Sequence, residues 1–507
     1  MIERRDHVLR SMASHGWLSA DELDQSLTST LNVVAKEANP GRDATGRAPH
    51  FVAFVGREAA TLEELGGTPD ERRQRVLTGG YDIQTTLDVR AYDAAVAAVR
   101  QTLGEAGDPT TAIASVQPGD GAIKVLFGGL DPGLQFDPAS QGRRQPGSSF
   151  KPFVYLAALR AGIDPSTVYD GSSPQTLECD QTPWRVRNYE GEGFGSASVD
   201  DAMTSSINVV YAHLMAQVGP RAVAEVAHAA GIARDAVTPP QCAMALGGLR
   251  EGVSPLEQAA AFATFAAKGV YTEPYAIAKI SDRDGKVLYE HGSARRSEAF
   301  KDEEAGVLTA ALERVVQSGT GTAAAIGRPL AGKTGTTENY GNAWFIGYVP
   351  QMATAVWVGY PDGDRPMTDV HGRSVSGGSF PAVTFSLYMR AALARVPVQD
   401  LYRASFDDLN VRPSTSAPTA TVAPPPAAAP PPTQPPPSTN PPSTSPATSA
   451  VPRPTAPAPT APSTTRRAVT PTTSPPVTSV PPAPTVPVAT SPSTTPAATI
   501  PTTSGAG

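Results

Sequence analysis

The stretch Gln145-Pro146-Gly147-Ser148-Ser149-Phe150-Lys151-Pro152 decides how the chain reads. Pro146-Gly147 breaks whatever precedes it, and Phe150, Phe153, Val154, Ala157 and Ala158 then recur at a spacing of three to four, which predicts a helix with Ser148 at its N-terminus. Lys151 follows one turn later on the same face, within reach of the Ser148 hydroxyl. A serine becomes a nucleophile only beside a base. A lysine can be that base if burial or a neighbouring cation keeps it neutral for part of the time. Taken singly, the pair is also what a surface serine near a helix-start lysine looks like.

Two further segments carry the same ambiguity singly and lose it together. Thr204-Ser205-Ser206-Ile207-Asn208 follows the cap-like Asp200-Asp201 and precedes a helical pattern that resumes at Val209, so Ser206 and Asn208 alone read as cap or turn chemistry. Lys333-Thr334-Gly335-Thr336-Thr337 reads as a strand ahead of Trp344-Phe345-Ile346-Gly347-Tyr348. A glycine within a strand weakens packing and marks the close approach of another backbone or a ligand, and the lysine beside it offers a cation to a carboxylate.

Around these segments the pattern is mixed. Asp6 to about Lys36 reads as two short helices broken at Gly16, and the polar, glycine-containing stretch from Asn39 to Gly80 as a connector. Tyr81 to Asp88 gives a short strand, and Asp88 caps a helix carrying Ala91, Ala94, Ala95, Ala97, Val99 and Leu103. Thr111 to Val116 and Ala122 to Phe127 form a hairpin across Gln117 to Gly121, and a second hairpin spans Tyr275 to Glu290 with its turn at Asp284-Gly285. Lys151 to about Ala267 is mostly helical, and strands return at Ala331 to Thr337, Ala343 to Tyr348 and Ala353 to Tyr360. Strands at both ends with helices inserted between them imply an α+β domain whose sheet joins early and late sequence.

Composition bounds the rest. The residues after about Val411 hold over half of the 52 prolines, no acid, no lysine and only Arg412, Arg453, Arg466 and Arg467, which predicts a disordered tail with polyproline II bias. Removing those four positive charges from the net −7 leaves −11 on the preceding residues, so nothing favours a nucleic-acid partner. Two cysteines and seven scattered histidines give no metal-ligand spacing, and no cofactor motif is present. No run of about 18 apolar residues occurs, so the sequence as given carries no membrane anchor or export signal.

In their order along the chain, Ser148-x-x-Lys151, Ser206-x-Asn208 and Lys333-Thr334-Gly335 resemble the motif set of penicillin-binding proteins and serine β-lactamases. The similarity is greatest to the transpeptidase part of bifunctional, class A penicillin-binding proteins. It covers roughly Tyr81 to Leu401 and is supported by the Arg143 to Lys151 run, Met244 to Gly248, Gly252 to Glu257, Gly319-Thr320-Gly321-Thr322 and Gly377-Gly378. Asn342 stands where many relatives carry Asp, a peripheral departure. The resemblance implies a penicillin-binding transpeptidase fold, an antiparallel sheet with an inserted helical subdomain. It divides the chain into residues 1–80, the end of a glycosyltransferase module and its linker, 81–401, the transpeptidase domain, and 411–507, the tail. The rest of a glycosyltransferase module is not in this sequence.

The resemblance also implies a chemistry: a peptidoglycan stem peptide ending in D-Ala-D-Ala as substrate, a serine acyl-enzyme, and β-lactams as covalent inhibitors. Ser148 would be the nucleophile, Lys151 its base, Ser206 a proton relay, and Lys333 a cation for its neighbours and the substrate carboxylate. Asn208 would bind the substrate amide, and Thr334, Gly335 and Thr336 would line the carboxylate site. A hydrolytic β-lactamase is disfavoured because no Glu-x-x-Leu-Asn segment follows the second motif. A DD-carboxypeptidase and a non-catalytic β-lactam sensor or wall-binding protein stand as alternatives. Action outside the cytoplasmic membrane would permit a Cys179–Cys242 disulfide, with two buried thiols as the other possibility.

Overall fold

Strands from the two ends of the folded region meet in one antiparallel sheet. In the computed structural model, which describes residues 2–29, 46–131, 136–292 and 294–411, five strands run in the order Ala331–Thr336, Asn342–Val349, Met352–Gly359, Thr110–Val116 and Ile123–Phe127. Thr110 pairs with Gly359 and Val116 with Ala353, so the early hairpin closes directly onto the late strands. The expected tail lies outside the described residues apart from Val411, as does the start of the expected connector at Asn39.

The sheet is covered on both faces, which explains why its two middle late strands are buried at every position. Phe345 meets Phe385 of the helix Phe380–Ala392 edge-on at 4.7 Å. Tyr348, three residues on and therefore on the opposite face, hydrogen-bonds Thr309 of the helix Asp302–Gln317 and packs against Phe262 of the helix Pro255–Ala266. The helix Val89–Thr102 lies with Phe380–Ala392, joined by a 2.8 Å Thr102–Thr384 hydroxyl bond, and Asp88 caps it through the Arg90 and Ala91 amides.

Two helices break the expected connector between Asn39 and Gly80: Pro49–Ala59 and Pro69–Thr78. The first buries Phe51, Val55 and Ala59, spaced by four, against the core, and Glu58 accepts from the Ala276 and Ile277 amides. The second begins in a Thr68–Glu71 capping box with Pro69 in its first turn, a local start signal set among glycines and polar residues. The expected pair Ile2–Ser14 and Ala20–Thr28 forms, separated at Gly16.

The second hairpin is present as Ile277–Ser281 and Val287–Glu290, with Asp82–Thr85 added alongside. The inserted region is less uniformly helical than its pattern. It also holds the pairs Val168–Asp170 with Ser196–Ser198 and Gln175–Cys179 with Thr182–Val186. A Cys179–Cys242 disulfide, Cα atoms 6.2 Å apart, ties the second of these to the turn Cys242–Leu246. After the last helix the chain returns to the core, where Arg403 pairs with Glu313 and Leu401 and Leu409 are buried. No helix among the described residues is long and apolar enough to cross a membrane.

Candidate active site

The Ser148 turn is built by close backbone approach. Gly147–Phe150 is a 3-10 turn leading into the helix Lys151–Arg160, whose first nine residues are buried. Gly147 has φ +55°, and a Cβ there would fall 2.7 Å from Thr336 O. A Cβ on Gly335 would fall 2.3 Å from Pro146 O, so the approach foreshadowed by this in-strand glycine is made by the protein's own serine turn. Trp344 Nε1 donates to Gln145 O at 2.9 Å and pins the start of the turn to the sheet.

The two adjacent serines point into different surroundings. Ser149 is buried, donates to Pro146 O at 2.8 Å and accepts from Gln258 Nε2. Ser148 is only partly buried, lines a cavity, and has no hydrogen-bond partner for its hydroxyl among the described residues.

Lys151 lies at the centre of the motifs but bonds differently from the simple helical expectation. Its Nζ donates to Ser206 O at 2.7 Å, Ser206 Oγ at 3.2 Å and Asn208 Oδ1 at 2.8 Å, none of which is Ser148. The three donors of the ammonium are satisfied by the Ser-x-Asn segment, and the Tyr211 ring lies beneath Nζ at 5.3 Å. Ser206 is held for this role at φ +58°, a left-handed conformation costly for serine, between the helices Val199–Thr204 and Asn208–Val218. Asn208 spans the gap outward, giving Nδ2 to Arg187 O at 2.9 Å.

Lys333 reaches the same hydroxyl from the sheet. Its Nζ donates to Ser206 Oγ at 2.9 Å and to Thr334 O at 3.2 Å. Thr334 Oγ1 bonds Thr320 Oγ1 at 2.7 Å, and Thr336 Oγ1 accepts from the Gly377 amide at 3.0 Å. Neither buried lysine has a carboxylate partner among the described residues. Burial pushes Lys333 down to about 7, and burial together with the Lys333 charge holds Lys151 well below the usual lysine range. The site can therefore hold a neutral amine beside a serine hydroxyl at ordinary pH.

Two cavities border Ser148, and Ser148, Asn208 and Thr336 line both. The first, about 420 Å³, adds Ser206, Thr320, Thr334, Arg373, Ser376 and Ser379, a lining of hydroxyls and one cation without an acid. The second, about 530 Å³, adds Trp184, Arg185, Arg187, Leu246, Glu338 and Asp364. Tyr189 and Tyr340 join hydroxyls at 2.8 Å on the rim, and Tyr340 donates to Glu190 at 2.6 Å.

The structure thus gathers Ser148, Lys151, Ser206, Asn208, Lys333, Thr334 and Thr336, with Gly335 at the seam behind them. Thr320 had a signal in its Gly-Thr-Gly-Thr repeat; Arg373, Ser376, Tyr189 and Arg187 had none. No cluster of three potential metal-ligating side chains occurs among the described residues.

Comparison with known proteins gives a consistent result. Residues 116–371 match the penicillin binding protein transpeptidase domain. Penicillin-binding protein 1A of Mycolicibacterium smegmatis is 34% identical over 396 residues, 73% of this chain and 48% of that protein. Its counterpart in Mycobacterium tuberculosis is 36% identical over 343 residues, 63% and 41% of the respective lengths. The chain spans about half the length of the curated relatives it matches. Among solved structures, PonA1 of M. tuberculosis in complex with penicillin V superposes with a TM-score of 0.63 at 31% identity, over 70% of this chain and 95% of that one. Penicillin-binding protein 1A of Haemophilus influenzae, at 22% identity, shares the fold with a TM-score of 0.63, over 79% of this chain and 77% of that one.

Proposed function

Because the chain belongs to the penicillin-binding transpeptidase family, we propose that it cross-links peptidoglycan stem peptides ending in D-Ala-D-Ala through an acyl-enzyme on Ser148, and that penicillin acylates the same serine. The observation that carries this reading is the sharing of the Ser206 hydroxyl by two buried lysines, beside the Ser148 hydroxyl, with neither a counter-ion for the lysines nor a partner for Ser148 Oγ among the described residues. Two adjacent ammonium ions in a dry site repel, so one amine is readily neutral and can take the Ser148 proton.

Ser148 Oγ attacks the penultimate carbonyl, with Lys151 as base. The backbone amides of Ser148 and Thr336 form the oxyanion hole, a contribution of about 2.7–4 kcal/mol per donor. As the C–N bond breaks, Ser206 passes its proton to the departing D-Ala amine and takes one from protonated Lys151, which becomes neutral again. An amine of a second stem peptide then attacks the ester carbonyl and gives up a proton to neutral Lys151, which passes it to Ser148 Oγ as the ester C–O bond breaks and the new amide forms. Thr334, Thr336 and Arg373 receive the substrate carboxylate in the acid-free cavity, and Lys333, buried beside Thr334, adds its positive charge. Asn208 orients the substrate amide. No cofactor is required.

Residues 81–401 constitute the transpeptidase domain in this reading, with 1–80 as the end of a preceding module and linker and 411–507 as a tail. The work is done outside the cytoplasmic membrane, where a Cys179–Cys242 bridge persists. The test combines labelling by a fluorescent penicillin with a peptide cross-linking assay. Labelling with dimer formation supports the transpeptidase; labelling with D-Ala release alone assigns a carboxypeptidase; no labelling removes the acyl-enzyme.

A further inference from the structure

A hairpin tip carries Arg373 to the hydroxyl-lined cavity. Val370 and Arg373 exchange both backbone bonds, Val370 N to Arg373 O at 2.8 Å and Arg373 N to Val370 O at 3.3 Å. His371 and Gly372 between them have φ +51° and +78°, the left-handed pair that a tight two-residue turn requires. Packing fixes the base of this hairpin: Met367, Val370 and Val375 are buried in one cluster with Val358 and Phe380, and Val375 N donates to Met367 O. The tip has no such support, since His371, Gly372 and Arg373 are all exposed.

His371 ties the tip down instead. Its Nε2 donates to Asp108 Oδ1 at 2.8 Å, and a carboxylate that only accepts places a ring proton on that nitrogen. Asp108, its side chain 9% exposed, is itself held through Oδ2 by the Glu105 amide at 2.8 Å, just ahead of the strand Thr110–Val116. Glu105 Oε2 brings a second carboxylate to 4.0 Å from the same nitrogen. His371 also meets the Phe380 ring at right angles, centroids 5.6 Å apart, and the Arg373 guanidinium lies over that ring at 4.4 Å. Arg373 has no ion pair or side-chain hydrogen bond among the described residues, and it lines the cavity with Ser376 and Ser379. Burial pushes Lys333 down to about 7, whereas a guanidinium stays charged throughout, so Arg373 is the constant cation of this cavity.

We propose that His371 is the positioning residue of Arg373: anchored on Asp108, it holds the hairpin tip so that the guanidinium rests on Phe380 and is preset for the carboxylate of a substrate or β-lactam. An arginine already in place binds without first giving up the rotamer freedom of an exposed side chain. His371 lines neither cavity beside Ser148, so it acts through Arg373 and touches no substrate. The inference rests on the proposed reaction, which sends a carboxylate to this cavity, and adds to it a residue outside the motifs.

The test compares acylation of the whole protein by penicillin V and by its methyl ester, followed by intact mass spectrometry, and reads the acid-over-ester rate ratio within each variant. Arg373→Gln should lower the ratio about fivefold, the size expected of a partly exposed charge pair. His371→Asn keeps a residue that tolerates the left-handed turn but is too short to reach Asp108, and it should lower the ratio nearly as far, through weaker binding rather than a slower first-order acylation step. His371→Gln, whose amide N–H can reach Asp108, should restore most of it. Combining His371→Asn with Arg373→Gln should lower the ratio no further than Arg373→Gln alone, because both changes remove one interaction. A slowing shared equally by acid and ester, a full additional loss in the double variant, or an undiminished ratio in Arg373→Gln overturns the inference, while acylation on Ser148 leaves the proposed reaction standing. A native protein that neither ligand acylates overturns both.

Discussion

Lys151 and Lys333, 182 positions apart in the chain, donate to the same atom: Ser206 Oγ accepts from Lys151 Nζ at 3.2 Å and from Lys333 Nζ at 2.9 Å. Both lone pairs of that hydroxyl are thereby used, and its proton is left as the donor. The charge of Lys333 is one of the two causes that depress Lys151.

That coupling gives a pH prediction with a definite sign. If neutral Lys151 is the base, acylation rises with pH as Lys151 loses its proton. Lys333→Gln removes the neighbouring cation, so Lys151 holds its proton more firmly, and the acid limb of the kcat/KM profile for penicillin acylation should move to higher pH. In the native protein, Lys333 loses its charge as pH passes through about 7, so carboxylate attraction should weaken on the alkaline side. Lys151→Ala should acylate about 10²–10⁴-fold more slowly at every pH. An acid limb that stays in place in Lys333→Gln would show that Lys151 does not control it.

The two serines of the turn should separate cleanly. Ser148→Ala removes a hydroxyl without a hydrogen-bond partner among the described residues and should abolish covalent labelling without loss of fold. Ser149→Ala removes the bond to Pro146 O and strands Gln258 Nε2, so it should cost about 1–3 kcal/mol of stability and still label. Mass spectrometry of the labelled native protein should place the adduct on Ser148, and an adduct elsewhere would overturn the assignment.

Gly335→Ala tests the seam between strand and turn. The new methyl would sit 2.3 Å from Pro146 O, a backbone atom with no rotamer by which to yield. The substitution should lower stability by about 1–3 kcal/mol and reduce acylation more than Ser149→Ala does, because the turn carrying Ser148 must shift. Equal acylation rates in the two variants would mean that the turn's position against the strand is unimportant.

Replacing both cysteines with serine opens a loop with a sequence separation of 63 between its ends. Loop closure of this length is worth about 4 kcal/mol, so the variant should unfold at distinctly lower temperature. Penicillin labelling should persist well below that transition. Quantitative alkylation of both thiols in the unreduced, denatured native protein would rule the bridge out.

Truncation after Val411 should leave acylation and stability unchanged, since no motif lies beyond it. Truncation after Gln399 should not, because it deletes buried Leu401 and Leu409 and the Arg403–Glu313 pair. Differential scanning calorimetry on the two truncated forms distinguishes them.

What the sequence determined by itself was local or ordered along the chain: the Ser148 turn and helix, the glycine-marked strand at Lys333-Thr334-Gly335, the early and late strands, and the three motifs in sequence. These are legible because a helix or strand repeats its pattern within a few residues, and because a glycine inside a strand records a steric demand at its own position. The helix Pro69–Thr78 was not read, although Thr68 and Glu71 form a capping box, because the box stands among glycines and polar residues that signal a loop. Only the tertiary structure decided the partners of Lys151, which lie 55 and 57 residues away, and brought Lys333 to Ser206 across 127 residues. It also set Arg373 beside the hydroxyl-lined cavity and left Arg185, Arg187 and Glu338 without partners among the described residues. The reason is physical: burial, charge coupling and the absence of a counter-ion depend on which distant surfaces the folded core presses together, and no periodicity within one segment encodes that distance.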